Sequence, residues 1–250
     1  MALKEKIIKC FNSKAYTYQN AADMQPQVAA RLADRFASVS AKNVLEIGCG
    51  TGFLSQHLLH SFPDAQLLLT DIAPAMVDIT RDRFQKNANV FVKAMDGEAL
   101  ETSTQFDLIV SSMTLHWFTN FKHSLQQIIE KLTPGGQLVF AMLGKNSLLE
   151  WRNIFQEVAI VAPTPAFPDH QKLAQHFPEL KIEVEVSEQR YRNTHEFLKT
   201  LKAIGAHAAQ AKHVVLSSGR LRRLMQRLDR VSPDGVNISY EVVYGSYTKS

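Results

Sequence analysis

Four groups of residues that could do chemistry each follow an apolar stretch typical of a buried β-strand. These groups are the glycine turn at residues 48–52, the carboxylates Asp71 and Asp96, and the segment Ser111–Trp117. In open α/β sheets, ligands bind beyond the carboxyl ends of the strands, at the point where the winding reverses. Four such groups at successive strand ends therefore predict one shared binding site.

The glycine turn has the spacing GxGxG, which differs from the GxGxxG of dinucleotide-binding proteins and lacks the GK ending of a P-loop. A bulky Phe53 follows it, and Glu46 lies in the strand before it. A carboxylate at position 46 would repel a pyrophosphate and attract an ammonium or sulfonium group. We therefore expect Glu46, Gly48 and Gly50 to contact a nucleoside that bears an amine and a carboxylate.

The two carboxylates have both structural and ligand-binding interpretations. Asp71 lies about 20 residues beyond the glycines, where a carboxylate accepts hydrogen bonds from two ribose hydroxyls, or it caps the helix that follows. Asp96 accepts from the exocyclic amine of an adenine, or it only forms a turn. Ile72, Met76 and Met95 flank the adenine ring or belong to the core. The position of both carboxylates at strand ends favours the ligand-binding interpretations.

The elements that position these residues alternate between strands and helices. We predict one or two helices over residues 3–38. Strands are then predicted at 43–47, 65–71, 88–96, 106–112 and 134–143, with helices at about 52–60, 73–84 and 123–132. Continuous apolar strands separated by helices indicate a parallel sheet covered on both faces. A helix at 147–161, a strand at 181–191, a helical basic segment at 194–231 and a terminal strand at 236–249 follow.

Four motifs in this core resemble those of class I S-adenosylmethionine-dependent methyltransferases. They are "VLEIGCGTGF", "LLLTDIAPAM", "AMDGEAL" and "FDLIVSSMTLHW", in the order and spacing of that family across residues 40–145. The resemblance implies S-adenosyl-L-methionine as cofactor, with S-adenosyl-L-homocysteine as its product and no metal. It also implies an α/β fold with a seven-stranded, mostly parallel Rossmann-like sheet, helices on both faces and an antiparallel last strand.

Segments along almost the whole chain resemble a narrower family, the malonyl-acyl-carrier-protein O-methyltransferases of biotin synthesis. They are "FNSKAYTYQNAADMQ", "SSMTLHWF", "LLEWRNIF", "THEFLKTLKAIGAH" and "ISYEVVYG". This resemblance implies that Tyr18 and Gln25 close over the cofactor. Two positions depart from the family pattern: His116 replaces the usual glutamine, and Ala203 stands where a basic residue is usual. The expected cofactor-binding set is Tyr18, Gln25, Glu46, Gly48, Gly50, Asp71, Ile72, Met76, Asp96, Gly97 and Ser112.

The reaction implied by this resemblance moves a methyl group from a sulfonium to the free carboxylate of a malonyl thioester on acyl carrier protein. A carboxylate is already ionised at neutral pH, so it needs no general base. The enzyme must instead hold its oxygen within ~3–3.5 Å of the methyl and in line with the sulfur. Arg152 is our candidate for the malonyl carboxylate, since guanidinium binds carboxylate through two hydrogen bonds. The candidate positioning residues are Tyr16, Tyr18, His116, Trp117 and Arg152, each of which also has a packing or surface interpretation.

Positive charge is concentrated near the C-terminus. The formal net charge is +4, yet residues 190–230 contain ten Lys and Arg against only Glu196 and Asp229. This segment is either a solvated helix face or a docking surface for an acidic partner. Acyl carrier proteins are acidic as a family, so the resemblance favours docking. The expected docking residues are Lys199, Lys202, Arg220, Arg222 and Arg223.

The chain is expected to form a single methyltransferase domain over residues 1–250. Within it we expect an N-terminal helical cap (1–38), a cofactor-binding core (40–145) and a helical basic insertion (193–235) that forms a lid. Two cysteines are too few for a disulfide framework or a structural zinc site, and no apolar run or secretory signal is evident. We therefore expect a cytoplasmic monomer that binds neither membrane nor nucleic acid.

Three other functions remain open on the sequence alone. The chain could methylate a free small carboxylic acid, which would leave the basic segment without a role. It could also bind the cofactor without catalysis, or be a nicotinamide dehydrogenase, although Phe53 and Glu46 argue against the last. Coenzyme A could also replace the carrier protein as the thioester carrier.

Overall fold

Seven strands form one sheet in the computed structural model, which describes residues 3–205 and 216–250. The strands are β1 (Asn43–Ile47), β2 (Gln66–Asp71), β3 (Val90–Ala94), β4 (Phe106–Ser112), β5 (Leu132–Leu143), β6 (Lys181–Tyr191) and β7 (Val236–Thr248). Their order is β3-β2-β1-β4-β5-β7-β6. The first five run parallel, whereas β7 is antiparallel to both β5 and β6. The predicted seven-stranded sheet with an antiparallel last strand is confirmed.

Helices cover both faces of this sheet, as predicted. They are α1 (Leu3–Ala21), α2 (Met24–Asp34), α3 (Phe53–Ser61), α4 (Pro74–Phe84), α5 (Phe121–Glu130), α6 (Leu149–Gln156), α7 (His170–His176), α8 (Thr194–Ala203) and α9 (Ser218–Val231). Successive side chains of a strand point to opposite faces. Accordingly, Val44 belongs to the apolar core that includes α2 and α3, and Leu45 belongs to the core that includes α5.

Most predicted elements lie within a few residues of their observed positions. The strand predicted at 88–96 is shorter, so Asp96 follows β3 by two residues and lies in a turn. The helix predicted at 147–161 ends at Gln156. The short α7 was not predicted at all, because its single buried apolar residue, Leu173, gives no helical periodicity.

The N-terminal helices lie across the carboxyl edge of the sheet. Ala15 of α1 packs against Ala73 and Met76 at the start of α4. The Asn12 side chain accepts a hydrogen bond from the amide of Ala75 at 2.9 Å. The first amides of a helix have no partner within the helix, so this bond satisfies one of them and fixes α1 against α4.

The helices α8 and α9 lie between β6 and β7 in the chain, as the sequence predicted. The carboxylate of Asp229 on α9 accepts two hydrogen bonds of 2.7 Å from Thr194 at the start of α8. Leu224 and Leu228 bury the inner face of α9. Residues 206–215, which belong to the expected basic insertion and include Lys212, lie outside the described residues. No helix in the described ranges has the length and apolarity needed to cross a bilayer.

Candidate functional site

A cavity opens at the carboxyl ends of β1, β2 and β4, beneath α1. It has a volume of about 930 Å³ when the solvent space at its open mouth is counted. The structure brings to its wall every residue of the expected cofactor-binding set: Tyr18, Gln25, Glu46, Gly48, Gly50, Asp71, Ile72, Met76, Asp96, Gly97 and Ser112. Their contacts to a cofactor stay predictions.

The glycine turn folds back onto β2 and approaches β4. The amides of Gly48 and Cys49 both donate to the carbonyl of Thr70, at 2.7 and 2.8 Å. Gly48 has a φ of +76°, and a Cβ there would lie 2.1 Å from the hydroxyl of Thr114. Gly50 has a φ of +54°, but a Cβ there would meet no atom within 4 Å. The first glycine is therefore required by packing, whereas the second leaves open space beside the cavity.

Glu46 is a buried acid on the cavity wall. Only 1% of its surface is exposed, and its carboxylate accepts a 2.6 Å hydrogen bond from the Ser55 hydroxyl. Burial raises the pKa of Glu46 to about 8, the Ser55 bond opposes the shift, and the charge of Asp71 adds to it. No cationic side chain in the described ranges pairs with Glu46. This wall therefore favours a ligand that brings its own positive charge.

Asp71 joins the glycine turn to the start of α4. One of its carboxylate oxygens accepts from the amide of Gly50 at 3.0 Å, and the other accepts from Ala73 at 2.8 Å. Burial raises the pKa of Asp71 to about 6, although the bonds from Ala73, Gly50 and Ile72 oppose that shift. Because α4 begins at Pro74, its capping position is Ala73 and not Asp71. Asp71 therefore supports the start of the helix only through the hydrogen bond that it accepts from the amide of Ala73.

Lys4 links α1 to the turn that follows β3. Its ammonium group pairs with Asp96 at 2.6 Å and with Glu98 at 2.8 Å. Lys4, Ile7, Phe11 and Tyr18 all line the cavity, at spacings of three, four and seven residues. The predicted cofactor-binding set did not include the first three of these residues. Their helical spacing on one face of α1 is the signal that could have identified them.

A second cavity adjoins the first, with a volume of about 510 Å³ when the solvent space at its mouth is counted, and is called the acceptor chamber. The two cavities share Phe11, Tyr18, Gln25, Met113 and Trp117. The other wall residues of the chamber are Met24, His116, Leu143, Leu148, Pro165, Phe167, Leu201, Ile204 and Tyr240. None of the described residues in its wall is a lysine or arginine. An apolar space beside the first cavity suits the second reactant of a group transfer.

Met113 connects the two cavities and has an unusual backbone conformation. Its φ is +55°, in a region that non-glycine residues rarely adopt. The amide of Met113 donates to the carbonyl of Ala141 at 2.8 Å, which holds the strained residue in place. Such backbone strain is found preferentially at functional sites. Met113 was not among the predicted site residues, since nothing in a sequence reveals a positive φ at a methionine.

His116 is a neutral hydrogen-bonding residue in the chamber wall. It is 6% exposed, and burial lowers its pKa to about 3. Its Nδ1 accepts from the amide of Leu143 at 3.4 Å, which places the proton of the neutral ring on Nε2. Rings of Trp117 and Phe167 pack against it, with centroids 5.3 and 5.8 Å away. His116 therefore presents an N–H donor and is too weak a base for general-base catalysis.

Two candidate positioning residues lie elsewhere. Tyr16 is 82% exposed and lines neither cavity, so its expected place in the site was wrong. A helix turns about 100° per residue, so residues two apart, such as Tyr16 and Tyr18, cannot share a face. Arg152 also lines neither cavity, so it is not placed to hold a carboxylate in the chamber. It lies in a separate surface cleft along α6.

The expected docking residues form an exposed basic surface. Lys199 and Lys202 lie on α8. Arg220, Arg222 and Arg223 lie on α9, and all five side chains are exposed. The described residues provide no ion-pair partner for any of the five. Other arginines of the segment are paired: Arg192 with Glu196, and Arg227 with Glu157. The exposed basic residues are therefore available to a partner.

Comparisons with known proteins agree with this geometry. A methyltransferase-domain family matches residues 45–138. The YcgJ protein of Bacillus subtilis has a similar structure, with a TM-score of 0.64 over 89% of this chain and 98% of that one. Its 12% sequence identity shows the fold alone.

Two curated relatives cover nearly the whole chain. A malonyl-acyl-carrier-protein O-methyltransferase of Magnetococcus marinus is 35% identical over 95% of this chain and 90% of its own length. The chain belongs to the malonyl-acyl-carrier-protein O-methyltransferase family. A biotin biosynthesis bifunctional protein of Bordetella avium is 33% identical over 97% of this chain and 52% of its own length. Membership of the O-methyltransferase family confirms the expected enzyme class.

The burial of Glu46 predicts a pH-dependent cost to stability. Its pKa is about 8 in the folded chain and about 4.3 in an unfolded chain. Between these values the folded state keeps a proton that the unfolded state releases, so the free energy of unfolding falls as pH rises. We expect Glu46→Gln to abolish this fall of the unfolding free energy with rising pH. The variant should exceed the parent in unfolding free energy by roughly 2–5 kcal/mol at pH 8.5 and by much less at pH 5.

Urea unfolding of the ligand-free protein at the two pH values measures this difference. Glu188→Gln, which changes an exposed glutamate of β6, is the matched control and should show no pH-dependent difference. A difference between Glu46→Gln and the parent that is the same at both pH values would contradict the prediction.

Proposed function

We propose that this chain transfers the methyl group of S-adenosyl-L-methionine to the free carboxylate of a malonyl thioester on acyl carrier protein. The product is the methyl ester that primes biotin synthesis. The observation that carries the proposal is the pair of adjoining cavities at the carboxyl edge of the sheet. One has four carboxylates in its wall, namely Glu46, Asp71, Asp96 and Glu98, and the other is apolar with neutral hydrogen-bond donors. The names of the relatives supply the acceptor and the pathway.

The first cavity fits the cofactor by its donor set. Glu46 would bind the ammonium of the methionyl part, since it has no cationic partner of its own in the described ranges. Asp71 would accept from the ribose hydroxyls, and Asp96 from the adenine amine. Ile72 and Met76 would pack against the ring. When bound, the cofactor supplies a methyl group activated by the positive sulfonium.

The acceptor chamber suits a carboxylate that attacks without a base. The described wall carries neutral donors, namely Tyr18, Gln25 and His116, and no cation. Burial raises the pKa of Tyr18, so its phenol stays protonated and can donate. Neutral donors orient a carboxylate through hydrogen bonds without forming an ion pair with it. Apolar walls exclude water, which would otherwise solvate the nucleophile and compete for the methyl.

Tyr18 and Gln25 lie where the methyl group must cross. Both residues line both cavities, on α1 and on the first turn of α2. Their side chains would hold the acceptor oxygen close to the methyl and in line with the sulfur, at about 3–3.5 Å. Trp117 and Phe11 also line both cavities, and their rings pack edge to face with centroids 5.5 Å apart. This aromatic pair would close the site around the reacting atoms.

The carrier protein would dock on the basic surface of α8 and α9. An acidic partner is attracted by a concentrated positive field, and five exposed cations without an ion-pair partner among the described residues provide one. On α9, residues 220, 223, 227 and 230 follow each other at helical spacing and form a basic stripe beside the buried face of Leu224 and Leu228. The proposed carrier of the malonyl thioester is acyl carrier protein, and coenzyme A is the alternative carrier.

Mass spectrometry after incubation with S-adenosyl-L-methionine tests the proposal directly. The substrates are malonyl-acyl carrier protein, malonyl-coenzyme A, and free malonate or aconitate. We expect one methyl group on the malonyl-carrier protein, lost again on mild ester hydrolysis. Methylation of the free acids alone would favour the small-acid alternative. Cofactor binding without methylation of any carboxylate would favour a non-catalytic binding protein.

His116 is expected to act through its N–H donor, so the chemistry of the replacement decides the outcome. Glutamine keeps an N–H donor, and His116→Gln should keep kcat/KM within about threefold of the parent. Leucine has no donor, and His116→Leu should lose about tenfold, the value of one hydrogen bond. S-adenosyl-L-homocysteine binding should be unchanged in both. His123→Leu on the exposed face of α5 is the control. Equal losses for the two replacements would instead indicate a packing role.

Charge reversal tests the docking surface. Arg222→Glu with Arg223→Glu should raise KM for the carrier-linked substrate by about tenfold at low salt, without weakening cofactor binding. The matched control reverses Lys86 and Lys93, two exposed lysines near the edge strand β3 at the other end of the sheet. An unchanged KM at low salt, or an equal change in the control, would show that the carrier protein does not dock on this surface.

A further inference from the structure

We propose that the cleft along α6 is the entrance for the flexible arm that carries the thioester, and that Arg152 binds the phosphate of that arm. This inference rests on the proposed function and adds a second binding site to it. The ligand is defined by its chemistry: a narrow chain with amide groups, a thioester at one end and a phosphate at the other. The cleft is lined by Leu149, Arg152, Asn153, Gln156, Ala159, Ile160, Val161, Ala162, Thr164, Pro165, Ala166 and Phe167.

The cleft continues the path that begins at the cofactor cavity. The acceptor chamber shares Pro165 and Phe167 with the cleft, on the side away from the cofactor. The cofactor cavity and the cleft share no residue. The three spaces therefore follow one another, with the chamber in the middle. A thioester whose carboxylate reaches the cofactor cavity must extend outwards, and in this proposal its arm passes Phe167 into the adjoining cleft.

Arg152 is a half-buried cation without a counterion in the described ranges. Its Nη1 donates to the carbonyl of Lys145, which holds the side chain in place. No described carboxylate pairs with its guanidinium group, and the described residues provide no other hydrogen-bond partner for this side chain. The neighbouring Glu150 instead accepts hydrogen bonds from the amide and hydroxyl of Ser239, at 3.0 and 2.5 Å. A fixed guanidinium with free donors is suited to phosphate oxygens.

The remaining cleft residues suit a chain that alternates amides and methylene groups. Leu149, Arg152, Asn153 and Gln156 occupy positions i, i+3, i+4 and i+7 and so form one face of α6. The opposite face, with Trp151, is buried in the core. Asparagine and glutamine side chains can pair with amides. Apolar surface is also exposed in the cleft: Val161 is 65% exposed and Leu149 is 37% exposed.

The basic docking surface lies next to the cleft. Glu157, the residue that follows α6, forms an ion pair with Arg227 of α9. Gln156, the last residue of α6, lines the cleft. A partner bound to the basic stripe of α9 would therefore stand beside the mouth of the cleft. The same placement would let a tethered arm enter while its carrier stays outside.

Calorimetric titration with 4′-phosphopantetheine and with pantetheine tests the site without using catalysis. The two probes differ only in the phosphate. We expect the parent protein to bind the phosphorylated probe at least tenfold more tightly, in keeping with a charge-assisted contact. In Arg152→Ala this preference should disappear, whereas binding of pantetheine should change little. Arg152→Lys should restore part of the preference, since it keeps the charge and loses the second hydrogen bond.

Arg152→Ala also removes the hydrogen bond to the carbonyl of Lys145 and could disturb the fold. A second variant therefore tests the cleft while keeping Arg152. Gln156→Glu adds a negative charge to the same cleft at an exposed position and should also reduce the preference for the phosphorylated probe. Gln85→Glu, at an exposed position after α4, is the matched control. Unchanged binding of S-adenosyl-L-homocysteine shows that each variant is folded.

The outcomes separate this inference from the proposed function. A parent protein that binds both probes equally, or neither, overturns the inference, and so does a preference that survives in Arg152→Ala and Gln156→Glu. Methylation of malonyl-carrier protein could still proceed in those cases. If instead the phosphate preference depends on Arg152 but no malonyl thioester is methylated, the cleft is supported and the proposed reaction fails.

Discussion

The reversal of strand order between β1 and β4 is the constraint on which the site depends. The chain leaves β1 towards β2 and β3, and it leaves β4 towards β5 on the other side. The helices that follow β1 and β4 therefore diverge, and a crevice remains above the carboxyl ends of these two strands. The glycine turn and the segment after β4 both enter this crevice. The close approach of Gly48 to Thr114 shows how tightly the two segments meet there.

Two spaces with different electrostatic character, one acidic and one uncharged, result from this arrangement. The cofactor cavity holds buried acids whose raised pKa values mark an unfavourable environment for negative charge. A cation that enters it would relieve that penalty, so the protein stores binding energy for a positively charged ligand at the expense of its ligand-free stability. The acceptor chamber has neither sign of charge in its described wall. A carboxylate held there by neutral donors would keep the electron density that it needs for attack.

The sequence predicted the residues that line the first cavity better than those that line the acceptor chamber, for a physical reason. Residues such as Asp71 and Gly50 lie at strand ends, and the direction of a parallel sheet alone brings strand ends together. The chamber depends instead on how helices turn and pack against one another. The choice between Tyr16 and Tyr18 needed the phase of α1, and the position of Arg152 needed the buried face of α6. The neutral state of His116 depends on burial, which no local pattern reveals.

The helix α8 shows why chamber and docking surface must be considered together. Lys199 and Lys202 lie on its outer face, whereas Leu201 and the adjoining Ile204 line the acceptor chamber. At 100° per residue these two pairs point in nearly opposite directions. A single helix, α8, thus separates the basic surface from the apolar wall of the chamber. A substitution on either face can move the other, so a change in KM alone cannot locate an effect on this helix. Only a cofactor-binding control and a substrate without the carrier separate docking from chamber shape.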